Sequence, residues 1–352
     1  MTPVETAEVA PAGDVLAWGR AEIGARAGLA TPDVGITRTL SLPRARVEAG
    51  LATEGPEAQA LGRVVLAAVR SGGETGYIGV DGESLVTVVQ VAEAAAAWPA
   101  LGLSAAGGVV DDAWVRSGDA LWGLRAVAPG MGEDLGWMEP SDVGAWAGWA
   151  AREGRVRARA TVSAGEGARM RERNDGKDLS LLLSIQPRGE HRGGLLAQAY
   201  AREGSRGLGS APDHRAGARL GWESERLRGG AEVLAAWGVG GNATRTPVGG
   251  SAWLVARPLA PLMIWGRLDL ATEDPGESDA ATRILHAGVA HPLLPDARAR
   301  LSLGVNHRAV GSAVRSVAGA EALATQAQVY AQIDLDLDTR GTNPTPFRTD
   351  PP

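Results

Sequence analysis

The chain has 352 residues, 44% of them hydrophobic, with Gly 49, Pro 20, Cys 0 and a formal net charge of -6. The negative balance argues against nucleic acid as a partner, and no run of about 18 apolar residues occurs, which excludes a transmembrane helix. A mean hydropathy of -0.08 means that apolar and polar residues are finely mixed, as in a turn-rich β protein that carries no thiols.

Residues 1–14 are polar and contain proline without an apolar core, so no signal peptide is visible there, and this stretch is read as an N-terminal extension of a mature or truncated form. Alternation of apolar and polar residues then predicts strands near 15–30, 41–53, 61–70, 84–97, 100–108, 142–152, 155–165, 177–186, 193–203, 213–224, 226–238, 250–257, 261–270, 281–290, 296–308 and 322–339. Glu57–Arg70 and Val91–Ala97 are alanine-rich and helical by propensity; they are kept as strands. In the last predicted strand, Thr325, Ala327, Val329, Ala331, Ile333, Leu335 and Leu337 alternate with Gln326, Gln328, Tyr330, Gln332, Asp334, Asp336 and Asp338. Soluble strands usually stop at about 5–6 residues, so this length implies that something as thick as a bilayer is crossed.

The connections alternate in length along the chain. Long ones are Thr31–Leu40, Ser71–Glu83, Val109–Ser141, Glu166–Gly176, Gly204–Pro212, Val239–Gly249, Ala271–Ala280 and Ala309–Glu321, and short ones include Arg152–Gly154, Ser224–Glu225, Arg257–Pro261 and His291–Pro295. Antiparallel membrane barrels have this rhythm, with loops on one side and tight turns on the other. The predicted fold is an all-β, transmembrane antiparallel barrel of about sixteen strands over 15–339, followed by a polar tail over 340–352. No repeat of 20–50 residues points to a solenoid or propeller.

In the strand near 155–165, Val156, Ala158, Ala160 and Val162 share one face, which leaves Arg155, Arg157 and Arg159 on the other, about 7 Å apart. On lipid each would cost roughly 2–4 kcal/mol at the midplane, so they are expected to line a water-filled lumen. A second ladder places Ala297, Ala299, Leu301, Leu303 and Val305 outside and Arg298, Arg300, Ser302, Asn306 and Arg308 inside. The same parity turns Arg20, Arg26, Arg44, Arg46, Arg215, Arg219, Arg228 and Arg267 inward, together with Glu22, Glu48, Asp178, Glu223, Glu232, Asp269, Asp334, Asp336 and Asp338. Part of this set is expected to pair across the lumen. An excess of arginine would favour anions, because rings of side-chain charge set selectivity.

Tryptophan is the dominant aromatic, Trp 11 against Phe 1 and Tyr 3. Trp18, Trp98, Trp146, Trp149, Trp222, Trp237, Trp253 and Trp265 fall in or at the ends of strands and read as girdle residues at the headgroups, with core packing as the alternative. Trp114, Arg116, Trp122, Arg125 and Trp137 lie in the longest connection, 109–141. A loop of that length is usually functional, and it is the candidate constriction loop, folded inward. His191, His214, His286, His291 and His307 show no metal-ligand spacing and mostly lie near strand ends. Gly238-Val239-Gly240-Gly241-Asn242 lacks the strand–turn–helix context and the lysine of a phosphate-binding loop. No catalytic constellation, cofactor site or metal site is predicted.

The middle of the chain resembles bacterial porins of the phosphate-selective O/P type. The resemblance rests on Ser141-Asp142-Val143-Gly144-Ala145, Thr161-Val162-Ser163-Ala164-Gly165-Glu166-Gly167, Asn174-Asp175-Gly176-Lys177-Asp178-Leu179, Gln186-Pro187 and Gly266-Arg267-Leu268-Asp269, and covers Ser141–Asp269. It implies a sixteen-stranded barrel, often trimeric, in which the third surface loop constricts the lumen and an inward arginine ladder passes anions. The chain differs from the family in carrying a single lysine, Lys177, and in placing Phe347 within a polar tail instead of ending on an aromatic residue.

The resulting expectation is an outer-membrane channel, possessing no enzymatic chemistry, that passes small hydrophilic solutes with a mild preference for anions and assembles as a homotrimer in outer-membrane lipid. Two other readings stay open. A plugged barrel with a structural or adhesive role would follow from complete pairing of the lumen charges. A soluble all-β binding protein would bury the apolar face, although alanine and glycine on that face would pack a soluble core poorly.

Overall fold

The computed structural model describes residues 15–31, 37–55, 57–72, 83–151, 154–168, 175–188, 193–207, 210–239, 242, 244–259, 261–275, 280–294, 299–311 and 326–338. The expected extension over 1–14 and tail over 340–352 lie outside these residues. The strands are β1 Val15–Thr31, β2 Thr37–Glu54, β3 Gln59–Gly72, β4 Glu83–Trp98, β5 Leu103–Asp111, β6 Ser141–Ala151, β7 Val156–Ser163, β8 Asp178–Ile185 and β9 Gly194–Glu203. There follow a two-residue ribbon of β10 Ser205–Arg206 and β11 Ala211–Pro212, and then β12 His214–Glu223, β13 Leu227–Trp237, β14 Val248–Leu259, β15 Leu262–Thr272, β16 Ala281–Pro292, β17 Ala299–Val310 and β18 Gln326–Asp338.

Sixteen of these, all but the ribbon, close into one antiparallel barrel in chain order, sealed where β1 pairs with β18 from Arg20 opposite Asp338 to Thr31 opposite Ala327. Every predicted strand is present. The two alanine-rich stretches form the paired β3 and β4, because neighbouring ladders override a weak helical propensity. β5 begins at Leu103 and not near 100: Pro99, which has no N–H for a ladder, opens a short 3₁₀ turn over Pro99–Leu101, and Gly102 leaves it at φ 62.

The strands are inside out relative to those of a water-soluble sheet. On β8, Leu179, Leu181, Leu183 and Ile185 face outward and are 43–56% exposed, whereas Asp178, Ser180, Leu182 and Ser184 face inward and are buried. A wall of this polarity is stable in hydrocarbon, with the backbone satisfied by closure. Among the described residues no helix is long and apolar enough to cross a membrane.

The rhythm of connections is also present, and the ribbon β10–β11 folds within one of the long ones. Another, 239–247, starts at Gly238, whose φ of 81° and close approach to Pro212 exclude a side chain: an added Cβ would lie 1.4 Å from the Pro212 carbonyl oxygen. Gly238→Ala is therefore expected to lower stability by at least the roughly 1–3 kcal/mol of a strained backbone position, read as a shift in the urea midpoint of the refolded protein.

The longest connection carries helices α1 Ala113–Trp122 and α2 Met131–Asp134. Asp112 caps α1 by accepting the Val115 N–H at 3.0 Å, and Gly123 at φ 67 ends it, the usual pairing of an Asp start with a glycine stop.

Candidate functional site in the lumen

Segment 112–140 folds into the barrel. It buries Trp114, Met131 and Trp137, each at most 2% exposed. A loop taken into an interior brings backbone carbonyls that need donors, and wall arginines supply them, since each guanidinium offers five N–H groups in a fixed fork.

Arg219 on β12 is the densest of these contacts. Its Nε and Nη2 donate to Glu232 Oε2 at 2.8 and 2.6 Å, and its Nη1 donates to the Trp114 carbonyl at 3.1 Å, Ser117 Oγ at 2.9 Å and Gln198 Oε1 at 3.0 Å. The guanidinium also lies 3.7 Å over the Trp114 ring, which stacks on Tyr200. Arg215 donates to the Trp137 carbonyl at 2.7 Å and to Asp213 at 2.8 Å. On β15, Arg267 reaches the Pro129 carbonyl at 2.6 Å while holding Asp269 at 2.8 Å. Arg308 pairs with Asp134 of α2 at 2.6 Å.

At the seam, Arg26 donates to the Val127 carbonyl at 2.6 Å, and Gln332 donates to the Ala126 carbonyl at 2.8 Å. Arg159 on β7 donates to the Asp111 carbonyl at 2.7 Å and lies 4.5 Å over Trp146. Tyr200 donates to Asp112 at 3.0 Å. The segment is thus fastened to β1, β9, β12, β15, β17 and β18.

A second network occupies the wall of β2–β5. Arg63 pairs with Glu48 at 3.2 Å, Glu93 at 2.8 Å and Asp111 at 2.7 Å, and Asp111 also accepts Arg116 from α1. Within the loop, Arg125 joins Asp119 and Glu133. Burial opposes the Arg125 charge, but the two carboxylates outweigh it and hold its pKa above the ordinary value.

The predicted ladders are partly rearranged. Arg157 and Arg159 stand on β7, whereas Arg155 lies exposed in the turn before it. Arg300 pairs with Asp334 at 3.0 Å. Arg298 lies outside the described residues, as does the side chain of Arg44. Trp98, Trp149, Trp222 and Trp237 face outward at 39–44% exposure, the side the girdle expectation requires. That expectation fails for four others. Trp146, Trp253 and Trp265 point inward and are buried, and Trp18 is half-buried against Ala52, Leu61 and Ala97. Trp265 meets Trp122 of the loop edge-on at 6.3 Å. They share parity with the inward charges of their own strands: Trp253 and Trp265 pack against the loop, and Trp146 against Ala106, Val110 and Arg159 of the wall.

His286 corrects the placement of histidines near strand ends: it is buried in the middle of β16, 3.5 Å from Arg267. Its ring lies with Asp134 and Asp269 in a group whose ligand atoms are within 4.8 Å of one another. Arg308, Arg267 and Ser251 already donate to those carboxylates, so the acids are neutralised by guanidinium in a setting hostile to a cation. Gln332, Tyr200 and Ser117, which also anchor the loop, were not expected from the sequence.

No protein-family model matches the chain, and no curated protein matches it. Solved structures do. An anion-selective porin from Comamonas acidovorans is similar over 92% of this chain and 100% of its own, with 10% identity and a TM-score of 0.65. Salmonella typhi OmpF, in complex with daunomycin, is similar over 92% of this chain and 98% of its own, at 8% identity and a TM-score of 0.62. The outer membrane channel DcaP of Acinetobacter baumannii covers 95% of this chain and all of its own, at 10% identity and a TM-score of 0.57. At such low identity the similarity is one of fold, and the fold of this chain is the closed sixteen-stranded antiparallel barrel that these porins and channels share.

Proposed function

We propose that the chain is an outer-membrane channel through which small hydrophilic solutes diffuse, with a mild preference for anions and no bond chemistry. The observation that carries this reading is the inward-folded 112–140 segment, fastened by charged groups inside a barrel whose outer wall is apolar. Selectivity follows from charge left over after pairing. Arg26 and Arg159 are buried and bond to neutral acceptors, the Gln332 side chain and the carbonyls of Val127 and Asp111, so they add positive potential to the lumen. The resemblance to porins of the O/P type extends the reading to a homotrimer.

A plugged barrel is the second reading, favoured by the extent of pairing, since Arg63, Arg219, Arg267, Arg300 and Arg308 each hold a carboxylate. Single-channel conductance in a planar bilayer under a salt gradient separates the two. Stable steps with an anion-directed reversal potential support the channel, insertion without conductance supports the plug, and failure to insert would leave a soluble barrel. Replacing Arg155, Arg157 and Arg159 together by alanine is expected to lower anion over cation permeability. An unchanged reversal potential would remove these arginines from the selectivity mechanism.

A further inference from the structure

The outer wall of β1, β16, β17 and β18 carries an apolar groove of about 620 Å³. Its upper row runs across Leu29, Val329, Val305 and Ala287, and Gly288 and Gly304 leave the floor without side chains. The next row towards the long connections holds His307, opposite Leu285 on β16 and Ala327 on β18. Arg283 follows two residues before Leu285, diagonal to His307 across the β16–β17 pair, where side chains are about 7–8 Å apart at the backbone and within reach of a shared group. Both are outward-facing and exposed, and neither has a hydrogen bond or ion pair among the described residues.

Arg283 is exceptional in its place. Among the barrel-strand residues whose side chains are described, it is the one arginine on the apolar outer face, since Arg20, Arg26, Arg46, Arg63, Arg157, Arg159, Arg202, Arg215, Arg219, Arg228, Arg267, Arg300 and Arg308 take inward positions and Arg257, near the end of β14, keeps the inward parity of Trp253 and Val255. An outward arginine is costly at the midplane of a bilayer and nearly neutral at its edge, which sets Arg283 at headgroup level. The groove lies below it, on the hydrocarbon side.

We infer that this surface holds one net-anionic, phosphate-bearing lipid of the bilayer, with Arg283 and His307 on its headgroup phosphate and its acyl chains in the groove. The Arg283 guanidinium and the His307 ring, without partners among the described residues above an apolar trough, match that molecule in hydrogen-bonding donors, charge and shape, and a basic side chain at headgroup depth favours anionic lipid. A second copy of the chain would satisfy the groove but leave Arg283 without an acceptor, as the outer faces of the neighbouring strands are apolar. The inference rests on the membrane-channel reading.

The test is native mass spectrometry of the full chain released from micelles containing equal phosphatidylglycerol and phosphatidylcholine, after flotation with vesicles. Phosphatidylglycerol is expected to be retained over phosphatidylcholine by about five-fold or more, on the scale of one or two basic contacts at a surface, and Arg283→Gln with His307→Gln is expected to abolish the preference. Arg283→Lys, which keeps the charge, should retain most of it, and heat-modifiable migration on gels reports that each variant is folded. Equal retention of the two lipids, or a preference unchanged in the double variant, overturns the lipid site. So does efficient cross-linking between copies through Ala287→Cys with no lipid bound. A chain that does not float with vesicles fails the membrane reading itself, whereas one that floats without lipid preference fails only the site.

Discussion

Replacing Arg219 with alanine is expected to destabilise the barrel by about 3–5 kcal/mol, the usual cost of stranding a buried ionic partner, and to release segment 112–140. The residue is 3% exposed and serves Glu232, Gln198, Ser117 and the Trp114 carbonyl at once. Its loss leaves the Glu232 carboxylate buried without a counter-charge and the first turn of α1 without its wall contact. The guanidinium midpoint reads the first effect, and proteolysis between 112 and 140 with noisier single-channel currents reads the second. Pairing Arg219→Met with Glu232→Leu separates them: removing both charges is expected to restore most of the stability while the loop stays loose. A single variant as stable as the parent would mean that water reaches Glu232 and that the network is not closed.

Leu181→Arg is the second large effect. Leu181 sits near the middle of β8 on the outer face, 43% exposed. In a sheet facing water the change would be almost neutral; in a bilayer it is expected to cost about 2–4 kcal/mol. The matched variant is Leu259→Arg, at the end of β14 and 70% exposed, where the cost is expected to be about 0–1 kcal/mol. Folding titrations into lipid vesicles measure both. Equal costs at the two positions would contradict a membrane whose midplane crosses β8.

Much of this was legible in the sequence because a barrel writes its cross-section in residue parity. Each strand alternates outside and inside, so Arg157, Arg215, Arg267 and Arg308 could be turned inward from their neighbours alone, and the Arg219–Glu232 pair follows once β12 and β13 are set in register. Trp253 and Trp265 carried the same signal, since Trp265 keeps step with Arg267 and Asp269. At these positions parity outranks the preference of tryptophan for headgroups. What no local pattern contains is the content of the lumen. The bonds from Arg215 to the Trp137 carbonyl and from Arg267 to the Pro129 carbonyl join residues 78 and 138 positions apart. They depend on where a loop lands inside a closed ring, and alternation is silent about that. The burial of His286 is hidden from the sequence for the same reason: its surroundings are supplied by α2 and β15, and only the closed barrel brings them together.

The grip of the loop tip on the seam bears on the order of assembly. Arg26 on the first strand and Gln332 on the last bond to each other at 2.8 Å although they are 306 residues apart, and they hold the adjacent carbonyls of Val127 and Ala126. Joining the chain's two ends is the most remote contact the protein makes, and remote contacts are slow to form because the intervening chain must first be confined. The loop tip gives that meeting a template, since it offers neighbouring acceptors to both partners. Sealing the cylinder and seating its interior segment are then a single late event, and a chain that lacks its final strand would leave the tip waiting on one side.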